Sequence, residues 1–155
     1  MKNLIFILML IALLIASCRA QTDEPLAQQV LVEFLKDLHN GRYEDAAKLY
    51  GGTYETMIDH NPNLDPTDHI GLMKNACTIN GSQCLEVKSV TIYEISATEI
   101  RYNVEFLNAD GTLFVQGPCC GGNETDFPPV SNFILTVIKD DESKFLVMNM
   151  PPYAP

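Results

Sequence analysis

The sequence predicts an α+β domain, with N-terminal helices packed on a bent antiparallel sheet of about four to five strands. Apolar residues recur at helical spacing up to about Cys77 and at alternate positions from Leu85 onward. The two regimes follow one another instead of interleaving, which is the order of α+β rather than α/β chains. A chain of 155 residues with 46% hydrophobic content has enough material for one core and no need of a second.

Met1-Lys2-Asn3 is a short positive start, and Leu4 to Ala16 is an unbroken apolar run of thirteen residues. Such a run is shorter than the roughly 20 residues that span a bilayer and has the length of a signal-peptide core. Ile15-Ala16-Ser17-Cys18 follows: a branched apolar residue, two small residues and a cysteine. These four positions resemble the lipobox of bacterial lipoproteins. The resemblance implies a leader over residues 1–17, lipidation of Cys18 and a membrane partner reached through that lipid. The protein would then be extracytoplasmic, on the cell membrane or the outer membrane, and Arg19 in place of Asp after the cysteine favours the outer one. The rival reading is a secretory leader cleaved after Ala20.

Residues 18–24 make a polar tether, residues 25–150 the domain and residues 151–155 a tail. The first helix is expected from Pro25 to His39, capped by Asp23 or Thr22 and stopped by Asn40-Gly41. Its apolar stripe is Leu26, Val30, Leu31, Phe34, Leu35 and Leu38. Tyr43 to Tyr50 forms a second helix ended by Gly51-Gly52, and a turn lies near Tyr54 to Asp59. Asp65-Pro66-Thr67-Asp68 supplies a cap, a proline and an acidic third position, opening a helix to about Cys77.

Leu85 to Ile95 is the first strand. Ile100, Tyr102, Val104 and Phe106 alternate with Arg101, Asn103 and Glu105 to form the second. Asp110-Gly111 turns into a strand over Leu113 to Gln116. Gly117 to Pro129 is a loop, and Phe133–Lys139 with Lys144–Met150 is a last hairpin. The side with Ile100, Tyr102, Val104, Phe106, Phe133, Leu135 and Val137 is expected to face inward. The opposite register would bury Glu105 beside Arg101, at a desolvation cost of several kcal/mol.

The helix-then-strand order and the stretch Asn40-Gly41-Arg42-Tyr43-Glu44-Asp45-Ala46-Ala47-Lys48-Leu49-Tyr50 resemble the nuclear transport factor 2-like superfamily. The resemblance implies an α+β cone, a long helix lying in a strongly bent sheet. The same eleven residues could open a tetratricopeptide repeat, but a lone unit of that kind cannot bury its own face and strands follow it here.

Twenty acidic against ten basic residues give a net charge of −10, and the chain has no basic cluster, which excludes a nucleic-acid partner. Lipidation of Cys18 would account for the odd one of five cysteines, leaving Cys77, Cys84, Cys119 and Cys120 for disulfides. Three connectivities exist. The favoured ones send Cys77 and Cys84 separately to the Cys119-Cys120 pair, since neighbours seldom bond to each other. Zinc is disfavoured because six residues separate the first two cysteines and none the second two.

In enzymes of the resembled superfamily an Asp/His or Tyr/Asp pair moves a proton inside the cone, an isomerase or dehydratase chemistry. Tyr50, Tyr54, Asp59, His60, Asp68 and His69 are the candidates for it. Asp59-His60 and Asp68-His69 are sequence neighbours, pointing about 100° apart on a helix, and they sit in a polar connection where solvated residues are expected. The oxygens of Asp59, Asn61, Asn63 and Asp65 alternate as in a calcium loop, but Leu64 stands where glycine is needed. Asn80-Gly81-Ser82 and Asn123-Glu124-Thr125 match the glycosylation sequon, which matters only outside bacteria.

The expected function is therefore non-enzymatic, with no cofactor and no metal. The cone would bind a small apolar ligand, through Tyr102, Phe106 and Phe133, or an envelope protein. A structural accessory without ligand and a proton-transfer enzyme are the alternatives. Ligand binding and proton transfer need a hollow cone; the accessory needs a filled one.

Overall fold

The computed structural model describes residues 23–79, 83–118, 125 and 128–152. The leader, Cys18, Cys119, Cys120 and both sequons' asparagines lie outside the described residues. Helix α1 spans residues 23–39, two residues more than expected at its start, so Asp23 and Glu24 belong to the fold and not to a tether. Acidic residues suit a helix N-terminus, and both are held there. The Lys139 ammonium bonds the Asp23 carboxylate at 3.0 Å, and the Tyr102 hydroxyl donates to the Glu24 carbonyl at 3.1 Å. Gly41, at φ +72°, ends the helix in the left-handed conformation.

The buried stripe of α1 is Ala27, Leu31, Phe34, Leu35 and Leu38, each at most 1% exposed. Leu26, expected in that stripe, is 52% exposed. It stands one position, about 100°, off Ala27, and the small alanine lets the helix sit close to the sheet.

Helices α2 (Tyr43–Leu49), α3 (Glu55–His60) and α4 (His69–Thr78) follow; α2 packs on α4 and buries Ala46 in the core. The cap of α4 is Asp68 rather than Asp65: its carboxylate accepts from the Gly71 amide at 2.9 Å. Asp65 instead accepts from the Thr67 amide and hydroxyl at 2.8 and 2.7 Å, closing the turn that precedes the helix. After α2 the chain runs against the end of the sheet. A Cβ on Gly51 would come within 2.8 Å of the Leu146 Cβ, so glycine is required for that close approach.

The sheet is an antiparallel meander in the order β1 (Glu86–Ile95), β2 (Glu99–Leu107), β3 (Phe133–Lys139) and β4 (Phe145–Val147). The expected strand over Leu113 to Gln116 is reduced to isolated bridges, Leu107 with Leu113 and Gln116 with Val130. The reason is topological: β1 and β3 take the two edges of β2, and Leu113 meets it only beyond the end of β3. Along β1 the register jumps between Val87 and Ser89 and again between Ile92 and Glu94, leaving Lys88 and Tyr93 as bulged residues. Two bulges bend one strand and raise its twist.

The inward face is the apolar one. Ile100, Tyr102, Val104, Phe106, Leu135, Val137 and Val147 are buried against the α1 stripe and against Met57, Leu72 and Met73. Cys77, also in this core, bonds Cys84, seven residues on, with a Cα–Cα distance of 4.9 Å. This corrects the expected crossing to Cys119 and Cys120. The bond ties the end of α4 to the start of β1, two points that the intervening chain already holds together.

Candidate functional site

Of the three residues expected to line a ligand cavity, Tyr102 and Phe106 belong to the core and Phe133 packs against it. Tyr102 has no exposure and Phe106 has 1%, so no water-sized space adjoins either side chain. Burial, and then the charge of Glu24, push the Tyr102 phenol up to about 12. Phe133 is half-buried, its ring 5.8 Å from Phe106 and 5.7 Å from Phe114. Around these residues the inner face of the sheet shares one packed core with Leu31, Phe34 and Leu35 of α1.

The candidate proton-transfer residues are divided by the fold. Tyr50, Tyr54 and His69 come together in a row that starts from Phe34: Phe34 on Tyr50 at 5.8 Å, Tyr50 edge-on to Tyr54 at 5.1 Å, and Tyr54 stacked on His69 at 3.8 Å. Burial raises both tyrosine phenols, which are therefore neutral, and the Tyr50 hydroxyl donates to the Thr53 carbonyl at 2.9 Å. Asp68 is spent on the α4 cap, and His60 bonds the Thr56 carbonyl on its own helix at 2.7 Å. Asp59 is exposed.

Glu105 and Arg101 face outward. The Ser89 hydroxyl donates to Glu105 at 2.8 Å and Lys88 lies 3.3 Å away, and these hold its carboxyl below the usual range. Arg101 bridges Glu94 at 2.9 Å. The alternating oxygens of residues 59–65 do not converge either. Asn61 is buried with its amide on the Met57 carbonyl at 2.7 Å and its oxygen accepting from Asn75 at 2.8 Å, while Asp65 serves Thr67. Among the described residues no group of three His, Cys, Asp or Glu side chains could hold a metal ion.

Two open concavities border α1 on its outward side. A groove of about 790 Å³ runs between α1 and α2, lined by Gln28, Val32, Lys36, Arg42, Asp45 and Leu49 among others. A smaller one of about 380 Å³ lies between α1 and the β3–β4 turn, where Leu26, Val30, Phe145 and Leu146 make an apolar floor. Gln29, Glu33, Lys48 and Leu49 border both, so they form one continuous surface. Its rigid corner is Asp37, 4% exposed, to which the Arg42 Nε donates at 2.8 Å. The search for a site inside the cone left this surface unforeseen. The available signal was Leu26 and Val32, apolar residues flanking a stripe that Ala27, Leu31 and Leu35 complete without them.

No family model, curated protein or solved structure matches the chain.

Proposed function

We propose that this chain is a lipid-anchored protein of the cell envelope whose domain binds or braces a protein partner and performs no chemistry of its own. The observation that carries the reading is the packed inner face of the sheet. Tyr102, Val104 and Phe106 pack there without room for a ligand, and no ionisable group except the neutral Tyr102 phenol lies among the buried strand residues. The outer surface of α1 offers a place for recognition, where Leu26 at 52% and Val32 at 37% exposure sit among Glu33, Lys36 and Lys48. Mixed charge around exposed apolar residues suits a protein surface better than a small apolar molecule. Helices preceding an antiparallel meander also fit the nuclear transport factor 2-like resemblance.

The anchor rests on Ile15-Ala16-Ser17-Cys18. Each buried methylene adds about 0.8 kcal/mol of membrane affinity, so two or three acyl chains would hold the domain at the surface. Arg19 fits an outer-membrane address where such a membrane exists.

Expression of Cys18→Ser with a fatty-acid probe tests the anchor. The variant should take up no label, remain as the longer precursor and leave the detergent phase; unchanged labelling and partitioning would refute the lipobox reading. A separate titration with an environment-sensitive apolar dye tests the cone. No saturable binding is expected, and a stoichiometric site lost on Tyr102→Ala would restore the small-ligand alternative. Photo-crosslinkers at Leu26 and Val32 in cells should capture one envelope protein at both positions.

A further inference from the structure

Among the described residues β1 pairs on one side only, with β2, and its second half is apolar and open: Ile92, Tyr93 and Ile95 are 41%, 52% and 55% exposed. A long free edge of this kind is a template for another strand unless it is blunted. Bulges are one device that blunts edges, and β1 has two. Their placement has a symmetry that changes what they do.

The faces of β1 are fixed by its contacts. Lys88 and Ser89, the first bulge, both reach Glu105 on the outer face. Tyr93 and Glu94, the second, both meet Arg101 there, which bridges Glu94 at 2.9 Å and lies 5.2 Å over the Tyr93 ring. Thr91, opposite Asn103, is on the same side. Val87, Val90, Ile92 and Ile95 oppose Phe106, Val104, Tyr102 and Ile100 and so belong to the inner face.

Counted outward from Thr91, the strand is symmetric in the face each residue occupies, and its charges are complementary. Val90 answers Ile92, Ser89 answers Tyr93, Lys88 answers Glu94, and Val87 answers Ile95. Every exchange keeps a residue on its own face, and the first bulge maps onto the second. From this we infer that β1 pairs antiparallel with β1 of a second copy of this chain, across a twofold axis at Thr91.

In that arrangement each bulge lies opposite a bulge, so the extra residues cancel and the register survives. The inner seam carries Val87 and Val90 against Ile95 and Ile92 of the other copy, covering the exposed isoleucines. On the outer seam, Arg101, Glu94, then Lys88 and Glu105 of the other copy form a row of alternating sign, and the twofold repeats it. The Val90 carbonyl, to which Gln28 Nε2 donates at 3.3 Å, keeps its second lone pair. This pairing is independent of the lipid anchor, and it adjoins the α1 surface at Gln28.

Full-length protein, purified in detergent, provides the test. Mild oxidation of Thr91→Cys should give a covalent dimer on a non-reducing gel, since facing Cα atoms in an antiparallel pair are about 4.5–5.5 Å apart, within disulfide reach. Glu86→Cys, about 30 Å from its mate in this register, should not. Lys88→Glu and Glu94→Lys each place like charges opposite one another twice and should each weaken self-association about tenfold. Mixing the two variants in equal amounts sets the introduced glutamate of one against the introduced lysine of the other. It also sets the unchanged Glu94 of the first against the unchanged Lys88 of the second, and should restore association as a heterodimer. A chain that stays monomeric by light scattering, equal cross-linking at the two cysteines, or a mixture no tighter than its components would overturn the proposal.

Discussion

Tyr102 shows how one residue serves the core, a helix and the pH response at once. Its ring fills the centre of β2 with no exposure, and its hydroxyl satisfies itself on the Glu24 carbonyl at the start of α1. Tyr102→Phe keeps the ring and removes that bond, which should cost about 1 kcal/mol in denaturant unfolding at neutral pH. The sign of the pH effect follows from the raised phenol. The folded chain keeps the proton up to about 12 while the unfolded chain releases it near 10, the ordinary value. Stability from this group is therefore complete below about pH 10 and falls as pH rises towards 12. Unfolding measured at about pH 8 and pH 11 should show a smaller loss in Tyr102→Phe than in the parent chain. Alternation made the burial of Tyr102 legible in the sequence. The hydroxyl's partner, 78 residues away, was not.

At the scale of elements, spacing located each helix while side-chain bonding set its limits. Asp65 and Asp68 both precede α4 and both suit a cap by composition. Only Asp68 reaches a helix amide; Asp65 is consumed by Thr67, whose hydroxyl competes for the same oxygen. Asp68→Ala should therefore lower stability by about 1 kcal/mol in denaturant unfolding, and Asp65→Ala by clearly less. An equal loss from both would place the helix start three residues earlier. The missing strand has a similar lesson. Leu113 to Gln116 has strand composition, yet β2, the strand it follows in the chain, already has neighbours on both edges, so it meets β2 only at Leu107.

At the scale of the whole molecule, the helical layer and the sheet are sewn together near one corner. Cys77 ends α4 within the core, Cys84 precedes β1, and the His39 ring at the end of α1 donates to the Cys84 carbonyl at 2.9 Å. Closing so short a loop stabilises by about 2.5 kcal/mol on the chain-entropy model, against about 4 for the longer loops expected from the sequence. Cys77→Ala/Cys84→Ala should lower the denaturation free energy by about that smaller amount. Mass spectrometry of non-reduced digests should find the peptides of Cys77 and Cys84 joined to each other. A linkage from either to Cys119 or Cys120 would contradict the observed pairing. The approach of the end of α4 to the start of β1 decided the connectivity, and Asn80-Gly81, a turn composition between the two cysteines, was the one trace of it in the sequence.

The sequence by itself determined the α+β class, the order of helices and strands, and which face of β2 and β3 is buried. These depend on periodicity and on the cost of burying Glu105 and Arg101, both of which are local properties of the chain. Tertiary structure alone decided that the inner face of the sheet is closed off by packed side chains. It also decided that Leu26 stands outside the stripe and that Tyr50, Tyr54 and His69 meet in one aromatic row. The physical reason is distance. How α1 settles against the sheet depends on contacts with strands more than 70 residues away, such as Tyr102 on the Glu24 carbonyl, and no pattern within the helix reports them.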